Sequence, residues 1–257
     1  MSPLPRLYVP DDLDSEALIE PNANQANYLL RVLRLSNGGA VRVFNGRDGE
    51  WRATLTVSGR SAHLTAKNQI RQQVFVPDLE LAFAPLKKTR TDFVVEKATE
   101  LGVRTISPVL TQYTQTQRVR TDRFRSLSIE AAEQTERLDL PEISEAMRLD
   151  VWLSDKTEDR LLIFCDETGT DGVLASSLSG MAEGPSTILI GPEGGFSEQE
   201  RQMLRRTPGV LPVTLGPRIL RAETAAVAAL SIWQSFLGDW RNSPYVAQTA
   251  NDAGGPA

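Results

Sequence analysis

Two short segments carry the residues whose types and spacing could do chemistry. In "TILIGPEGGFSEQE", Thr187–Glu200, three glycines, a proline and a glutamate follow an apolar run. In "VTLGPRILRAETAAVAAL" a second Gly-Pro turn starts 25 residues after the first and brings Arg218, Arg221 and Glu223 in front of an alanine-rich stretch. Closely spaced glycines let backbone approach a flat ligand, and two arginines three apart can reach an anion or a nucleotide. A phosphate cradle is a poor reading of the first loop. Neither GxxxxGK[ST] nor GxGxxG is present, Pro192 removes an amide donor, and Glu193 repels a pyrophosphate while suiting a cation or an adenine, ribose or amino group. Spacing alone leaves two readings open for each loop: a small-molecule site or a tight structural turn for the first, ligand contact or solvated arginines for the second. Glu193 and Glu223 are equally readable as helix caps or as salt-bridge partners of arginine.

The elements that must position these loops are legible from hydrophobic period. "LELAFAP", "TISPVLT", "RLLIFCDE", "STILIG" and "VLPVTLG" read as strands. "TRTDFVVEKATELGV", with Phe93, Val94, Lys97, Ala98 and Leu101 on one face and Gly102 closing it, reads as a helix. So do "TDRFRSLSIEAAEQTER", "SEQERQMLRR", opened by a Ser197–Glu200 capping box, and "AETAAVAALSIWQSFLGDW", with Trp233, Phe236 and Trp240 on one side for core packing or a subunit interface. Strands alternating with helices predict a mainly parallel sheet covered on both faces. Both glycine loops then leave carboxyl ends of strands, where open α/β sheets place ligands, and on neighbouring strands they would wall one pocket. Upstream, "RLYVP", "AVRVFNG", "EWRATLTVSG" and "SAHLTAKNQI" are short strands cut by Asn-Gly, Asp-Gly and Ser-Gly turns, which predicts a small β-barrel. "NQANYLLRVLRL" has helical spacing through Tyr28, Leu29, Val32 and Leu33. The expected division is 1–72 for the barrel, 73–242 for the α/β domain, and a disordered tail over 243–257.

Composition narrows the function classes. The chain has 257 residues, with one cysteine and one histidine, so an intrachain disulfide is excluded and a Ser-His-Asp or multi-histidine metal site nearly so. Cys165, ending an apolar run, reads as a small buried thiol. No segment is long and apolar enough for a membrane span and no export signal opens the sequence, so a reducing, cytoplasmic setting is expected. The net charge of −5 hides an uneven distribution. Residues 1–130 carry 18 Lys/Arg against 14 Asp/Glu, and residues 131–190 carry 4 against 13. A basic face for nucleic acid therefore remains available, with "QRVRTDRFR" (Arg118, Arg120, Arg123, Arg125) as its densest stretch; the same stretch is readable as a solvated loop and helix start.

Taken together, "LIGPEGGFSEQE" and "LGPRILRAETAAVAAL" resemble the RsmE family of SPOUT-type methyltransferases, which modify small-subunit ribosomal RNA. "LKKTRTDFVVEKATELGV" is similar to that family's Lys-x-x-Arg and Glu-Lys-Ala-Thr-Glu-Leu-Gly segment through Lys87, Arg90, Lys97 and Glu100. "IEAAEQTERLDLPEI" resembles its Glu-Ala-x-Glu-Gln element through Glu130, Glu133, Gln134 and Arg137, and "RLYV" with "YLLRVLRL" its N-terminal motifs through Arg6, Arg31 and Arg34. These ordered motifs span about residues 6–240. Asn27 and Tyr28 stand where the family often has a histidine, so the start of that helix is expected to meet RNA differently.

The resemblance implies a PUA-like β-barrel for RNA, followed by a SPOUT α/β domain with a deep trefoil knot. It implies a homodimer acting on 16S rRNA, without metal or membrane. The expected product is N3-methyluridine near the decoding site. S-adenosylmethionine would lie in the glycine loops, which assigns cofactor contacts to Leu189, Ile190, Gly191, Pro192, Glu193, Gly194 and Gly195, then to Leu215, Gly216, Ile219, Leu220, Arg221, Thr224 and Ala225. For the chemistry, Arg221 or Arg218, with Arg6 from the barrel, would stabilise the uracil anion, and Glu193 or Glu223 would accept the N3 proton. Arg6, Arg31, Arg34, Arg42, Arg90, Arg118, Arg120, Arg123 and Arg125 are the expected RNA contacts. Two rivals remain. Knotted 2′-O-ribose methyltransferases share the fold but usually carry a Ser-Leu-Asn-x-Ser element where this chain has "LRAETAAVAAL". A non-catalytic RNA-binding or assembly factor would have no need of the glycines and Arg221.

Overall fold

A computed structural model describes residues 4–59, 61–116, 118–157, 159–169 and 171–242; the tail expected over 243–257 lies outside the described residues. The chain divides into two compact units, Met1–Phe75 with Asn242–Ala257, and Val76–Arg241.

In the first unit, alternating apolar and polar residues produce strands β1 (Arg6–Tyr8), β2 (Leu18–Ile19), β3 (Ala40–Phe44), β4 (Glu50–Ser58) and β5 (Ser61–Arg71). They form one sheet in the order β1-β3-β4-β5-β2. Its buried face carries Leu7, Val41, Val43, Leu55 and Leu64, all at or near complete burial. The helical stretch is shorter than its spacing predicts. Helix α1 (Ala23–Asn27), opened by an Asn22–Gln25 capping box, runs into a π-helical turn over Tyr28–Val32. Leu33 N bonds Tyr28 O across five residues, and that wider turn breaks the 3.6-residue period. Leu29 alone of the expected apolar face is buried, while Val32 is 62% exposed.

Two arginines require correction here. Arg6 and Arg42 were expected at the RNA surface, and Arg6 also at the reacting base. Instead the Arg6 guanidinium donates to Glu50 at 2.5 Å and lies 3.8 Å from the centre of the Phe44 ring, with 3% of its side chain exposed. Arg42 sits 3.6 Å from the same carboxylate at 12% exposure. Glu50 occupies an inward position on β4 and is fully buried; a buried carboxylate needs cations around it. Both arginines are therefore interior supports of the sheet. Arg31 and Arg34 remain exposed, with no ion pair among the described residues.

The second unit interleaves strands and helices: β6 (Leu79–Phe83), α2 (Lys88–Glu100), β7 (Thr105–Leu110), α3 (Thr121–Gln134), β8 (Glu142–Ile143), β9 (Met147–Arg148), α4 (Leu149–Ser154), β10 (Leu161–Cys165), β11 (Gly172–Val173), α5 (Leu174–Leu178), β12 (Ser186–Ile190), α6 (Glu198–Arg206), β13 (Val210–Thr214) and α7 (Ala222–Phe236). The parallel sheet has the order β11-β13-β10-β12-β6-β7-β8. Period-2 alternation splits each strand between two cores. Leu81, Phe83, Ile163, Ile188 and Ile190 face α2, α3 and α7, while Ala82, Leu162, Phe164 and Leu189 face α4 and α6. The short α4 and α5 were not read from the sequence, since helices of six and five residues show too little period. On α2 the buried stripe is Val94, Val95 and Ala98, shifted from the expected one; Phe93 is 39% exposed, with the Lys97 ammonium 5.7 Å from its ring centre. On α7, Trp233 is buried and Phe236 is 38% exposed, and Trp240 falls in a separate 3-10 turn.

Candidate active site

Because β12, β10 and β13 run parallel, the loops leaving them gather on one side of the sheet. The expectation of two loops on neighbouring strands needs correction: β10 lies between β12 and β13. The chain leaving β10 at Asp166 thus forms a third, central wall.

The loop after β12 is pinned by Phe196. Its ring is buried against Phe164 with centroids 5.0 Å apart, edge to face, and a side chain at Gly191 would meet the ring at 2.6 Å. Gly195 N bonds Pro192 O at 2.9 Å, closing a turn in which Gly195 takes φ +70°. The predicted capping box then starts α6: Ser197 N donates to Glu200 at 2.8 Å and Glu200 N to Ser197 Oγ at 3.3 Å. The loop after β13 turns at Gly216, φ +118°, and Arg221 caps α7 with extended backbone. Arg218 and Arg221 are both exposed, and Ile219 is 84% exposed.

Two cavities of about 330 and 350 Å³ lie among these loops. Leu215, Gly216 and Arg218 line the first, while Ile190, Gly191, Pro192, Glu193, Gly195 and Arg221 line the second. Ile219, Leu220 and Ala225 line both. Three expected contacts are not lining residues. Leu189 points to the opposite face of the sheet, a side chain at Gly194 would meet Tyr113 Cβ at 3.2 Å, and Thr224 is exposed on α7. A larger hollow of about 670 Å³ elsewhere, beside Thr111, Thr114 and Ser197, brings together none of the glycines and arginines singled out above.

Two members of the cleft were assigned differently or missed. Arg90, expected at the RNA surface, lines the 350 Å³ cavity. It stands 3.4 Å from Glu193, on the loop after β12, and 3.6 Å from Glu223, in the first turn of α7. One oxygen of Glu223 is buried without a hydrogen-bond partner. Glu167, on the central wall, escaped the sequence reading because its carboxylate carries no glycine signature, and Cys165 beside it is read there only as a buried thiol. Burial pushes the Cys165 thiol up to about 12, against a role as thiolate nucleophile.

The central wall is fastened to α6. Asp166 has a fully buried side chain and accepts from Arg205 at 2.8 Å, Arg201 at 3.2 Å and Thr168 N at 3.1 Å. Arg201 also pairs with Glu167, and Arg205 with Asp171 at 2.5 Å. Burial raises the Asp166 carboxyl, but the bonds from Arg205, Thr168 N and Arg201 outweigh it and hold the group below the usual carboxylate range. Stability from a depressed carboxyl is present above its unfolded value, near ~4, and is lost as pH falls through the folded one. Asp166→Asn is therefore expected to lower stability at pH 7 by about 1.5–3 kcal/mol. It should also flatten the decline in melting temperature below pH ~4. Thermal melts of both proteins across that range check this.

Of the basic cluster, Arg120 pairs with Asp122 at 2.6 Å and Arg123 with Asp92 at 2.6 Å, while Arg118 and Arg125 are exposed. Among the described residues no group of three His, Cys, Asp or Glu is placed to hold a metal, and no helix is long and apolar enough to cross a membrane.

Residues 75–234 match the family model of an RNA methyltransferase domain, and residues 21–66 that of an RNA methyltransferase PUA domain. The chain is 33% identical to the ribosomal RNA small subunit methyltransferase E of Rickettsia conorii, over 88% of this chain and 93% of that one. It is 32% identical to that of Synechocystis, over 88% and 76%. Among solved structures it superposes on a Legionella pneumophila protein in complex with the cofactor SAM, with TM-score 0.83, 29% identity and coverage of 92% and 99%. It also superposes on the ribosomal RNA small subunit methyltransferase E of Neisseria gonorrhoeae bound to S-adenosyl methionine, with TM-score 0.81, 28% identity and the same coverage. A family model over most of the second unit, and a relative one-third identical across nearly its whole length, have one reading: the chain belongs to the ribosomal RNA small subunit methyltransferase E family of RNA methyltransferases.

Proposed function

We propose that the protein transfers the methyl group of S-adenosylmethionine to N3 of one uridine of 16S rRNA, near the decoding site, in the cytoplasm. The observation that carries this reading is the three-loop cleft at the carboxyl ends of β10, β12 and β13. Its composition suits an adenosyl group. Ile190, Leu215, Leu220 and Ala225 offer apolar walls, glycines allow close backbone approach, and no lysine or phosphate cradle is present. The sulfonium of the bound cofactor supplies an activated methyl carbon.

The chain's own residues have two tasks. N3 of uracil is nucleophilic only without its proton, and the charge left behind spreads onto O2 and O4. Arg221 and Arg218, exposed at the cleft and free of ion pairs among the described residues, stabilise that charge. Glu193 lines the cleft, and Arg90 links it to Glu223; in this reading one of these two carboxylates, Glu193 or Glu223, accepts the N3 proton. Methyl joins N3, the sulfonium becomes a neutral thioether, and the proton passes to a carboxylate and then to water.

Recognition of the RNA falls to exposed cations: Arg31 and Arg34 in the first unit, Arg118 and Arg125 in the second. The target base must be unstacked to present N3, so contacts to backbone and local shape dominate. Charge reversal at both Arg31 and Arg34 is expected to weaken rRNA binding about tenfold or more at low salt and to leave cofactor affinity unchanged. Filter binding alongside calorimetry checks it, and unchanged RNA affinity sinks this surface. The same reading carries a homodimer, with the exposed Phe236 and Trp240 as candidates for its contact, and a knotted crossing between β12 and β13 past β10. The direct test incubates purified protein with labelled S-adenosylmethionine and unmodified 16S rRNA or small subunits. Label on one uracil N3 supports the reading; label on a ribose 2′-oxygen or none at all contradicts it.

A further inference from the structure

Five residues form the shared wall of the two cavities: Cys165, Glu167, Ile219, Leu220 and Ala225. Among these side chains the Glu167 carboxylate is the one strong hydrogen-bond acceptor; the others are a neutral thiol and hydrocarbon. It is also deliberately housed. A side chain at Gly195 would occupy the space of the Glu167 carboxylate, so the glycine at φ +70° leaves room for it. Arg201, itself anchored on the buried Asp166, holds one of its oxygens. The Glu167 side chain is still 34% exposed. A braced carboxylate whose charge is already matched by an arginine has lone pairs left for neutral O–H donors.

Resting on the reading of this cleft as an adenosyl site, we infer that Glu167 binds the cis-diol of the cofactor's ribose. The geometry of the ligand carries the assignment. Adenine lies at one end of S-adenosylmethionine and the amino-acid chain at the other, so a molecule spanning both cavities puts its sugar at their common wall. An internal RNA nucleotide has its 3′-oxygen esterified and offers no such diol, which leaves the cofactor as the source. A bidentate carboxylate–diol contact would give the cleft what the backbone of the flanking loops does not supply, selection for an intact ribose. The Gly195–Glu167 contact then couples the loop after β12 to the sugar, since displacing one displaces the other.

The experiment measures binding of S-adenosylhomocysteine and its 2′,3′-dideoxy analogue by calorimetry, to wild-type protein and to Glu167→Gln. Wild type is expected to prefer the ribose form by about tenfold to a hundredfold. Glu167→Gln is expected to lose most of that preference while binding the dideoxy analogue as wild type does, which also shows that the variant is folded. Equal weakening of both ligands by Glu167→Gln, or no weakening of either, overturns the assignment. Wild-type protein that binds neither overturns the adenosyl reading of the cleft and this assignment with it.

Discussion

Arg221→Ala is expected to lower kcat for rRNA methylation by about 10²- to 10³-fold, with cofactor affinity held within about threefold. Arg221 stands at the start of α7 with extended backbone, its side chain exposed and lining the 350 Å³ cavity. Unlike Arg90, which two glutamates occupy, it has no ion pair among the described residues to give up when an anion forms. A donor directed at charge that exists mainly in the transition state acts on kcat more than on binding. Arg221→Lys should recover part of the rate, because it restores charge but not the planar fork. Steady-state kinetics with saturating cofactor separates the cases. A raised KM for RNA with unchanged kcat would move Arg221 from the reacting base to the RNA surface.

The second large effect is expected at Gly195. Gly195→Val should abolish measurable cofactor binding and cost about 1–3 kcal/mol of stability, leaving a folded chain. Two separate causes act together. A β-branched residue at φ +70° is strained wherever it occurs, and its Cβ would fall on the Glu167 carboxylate. The valine therefore displaces both the β12 loop and the central wall. Gly195→Ala meets the same carboxylate with a smaller group and should weaken binding less. Calorimetry with circular dichroism on the same samples reads affinity and folding separately; a folded Gly195→Val protein with intact cofactor binding would refute the placement of the ligand against this loop.

What the sequence makes legible is set by what each residue signals locally. The strands and long helices of the second unit were readable, because alternation and the 3.6-residue period are local properties. The Ser197–Glu200 capping box was readable for the same reason. Strand order was not. Nothing in "LLIFCDE" says that its strand enters between β12 and β13, and that insertion turns Glu167 from an ordinary acidic residue into the centre of the cleft. Arg90 likewise sits on a helix far from the glycine loops in sequence, 103 residues from Glu193, and only the sheet order brings the two together. Arg6 and Arg42 failed in the opposite direction. An arginine on a short strand beside other basic residues reads as surface charge, and its burial depends on Glu50 taking an inward position on a different strand. Burial of a cation is a pairwise fact, and sequence period reports single residues.

Methylation of one uracil N3 on the small-subunit rRNA is read by mass spectrometry of 16S rRNA from a strain lacking this chain, before and after treatment of its small subunits with purified protein and S-adenosylmethionine. One 3-methyluridine is expected to be missing from the deletion strain and restored by wild-type protein, while Arg221→Ala protein restores far less in the same time. Restoration of a 2′-O-methyl nucleotide, or an rRNA methylation pattern identical with and without the chain, would contradict the N3 assignment.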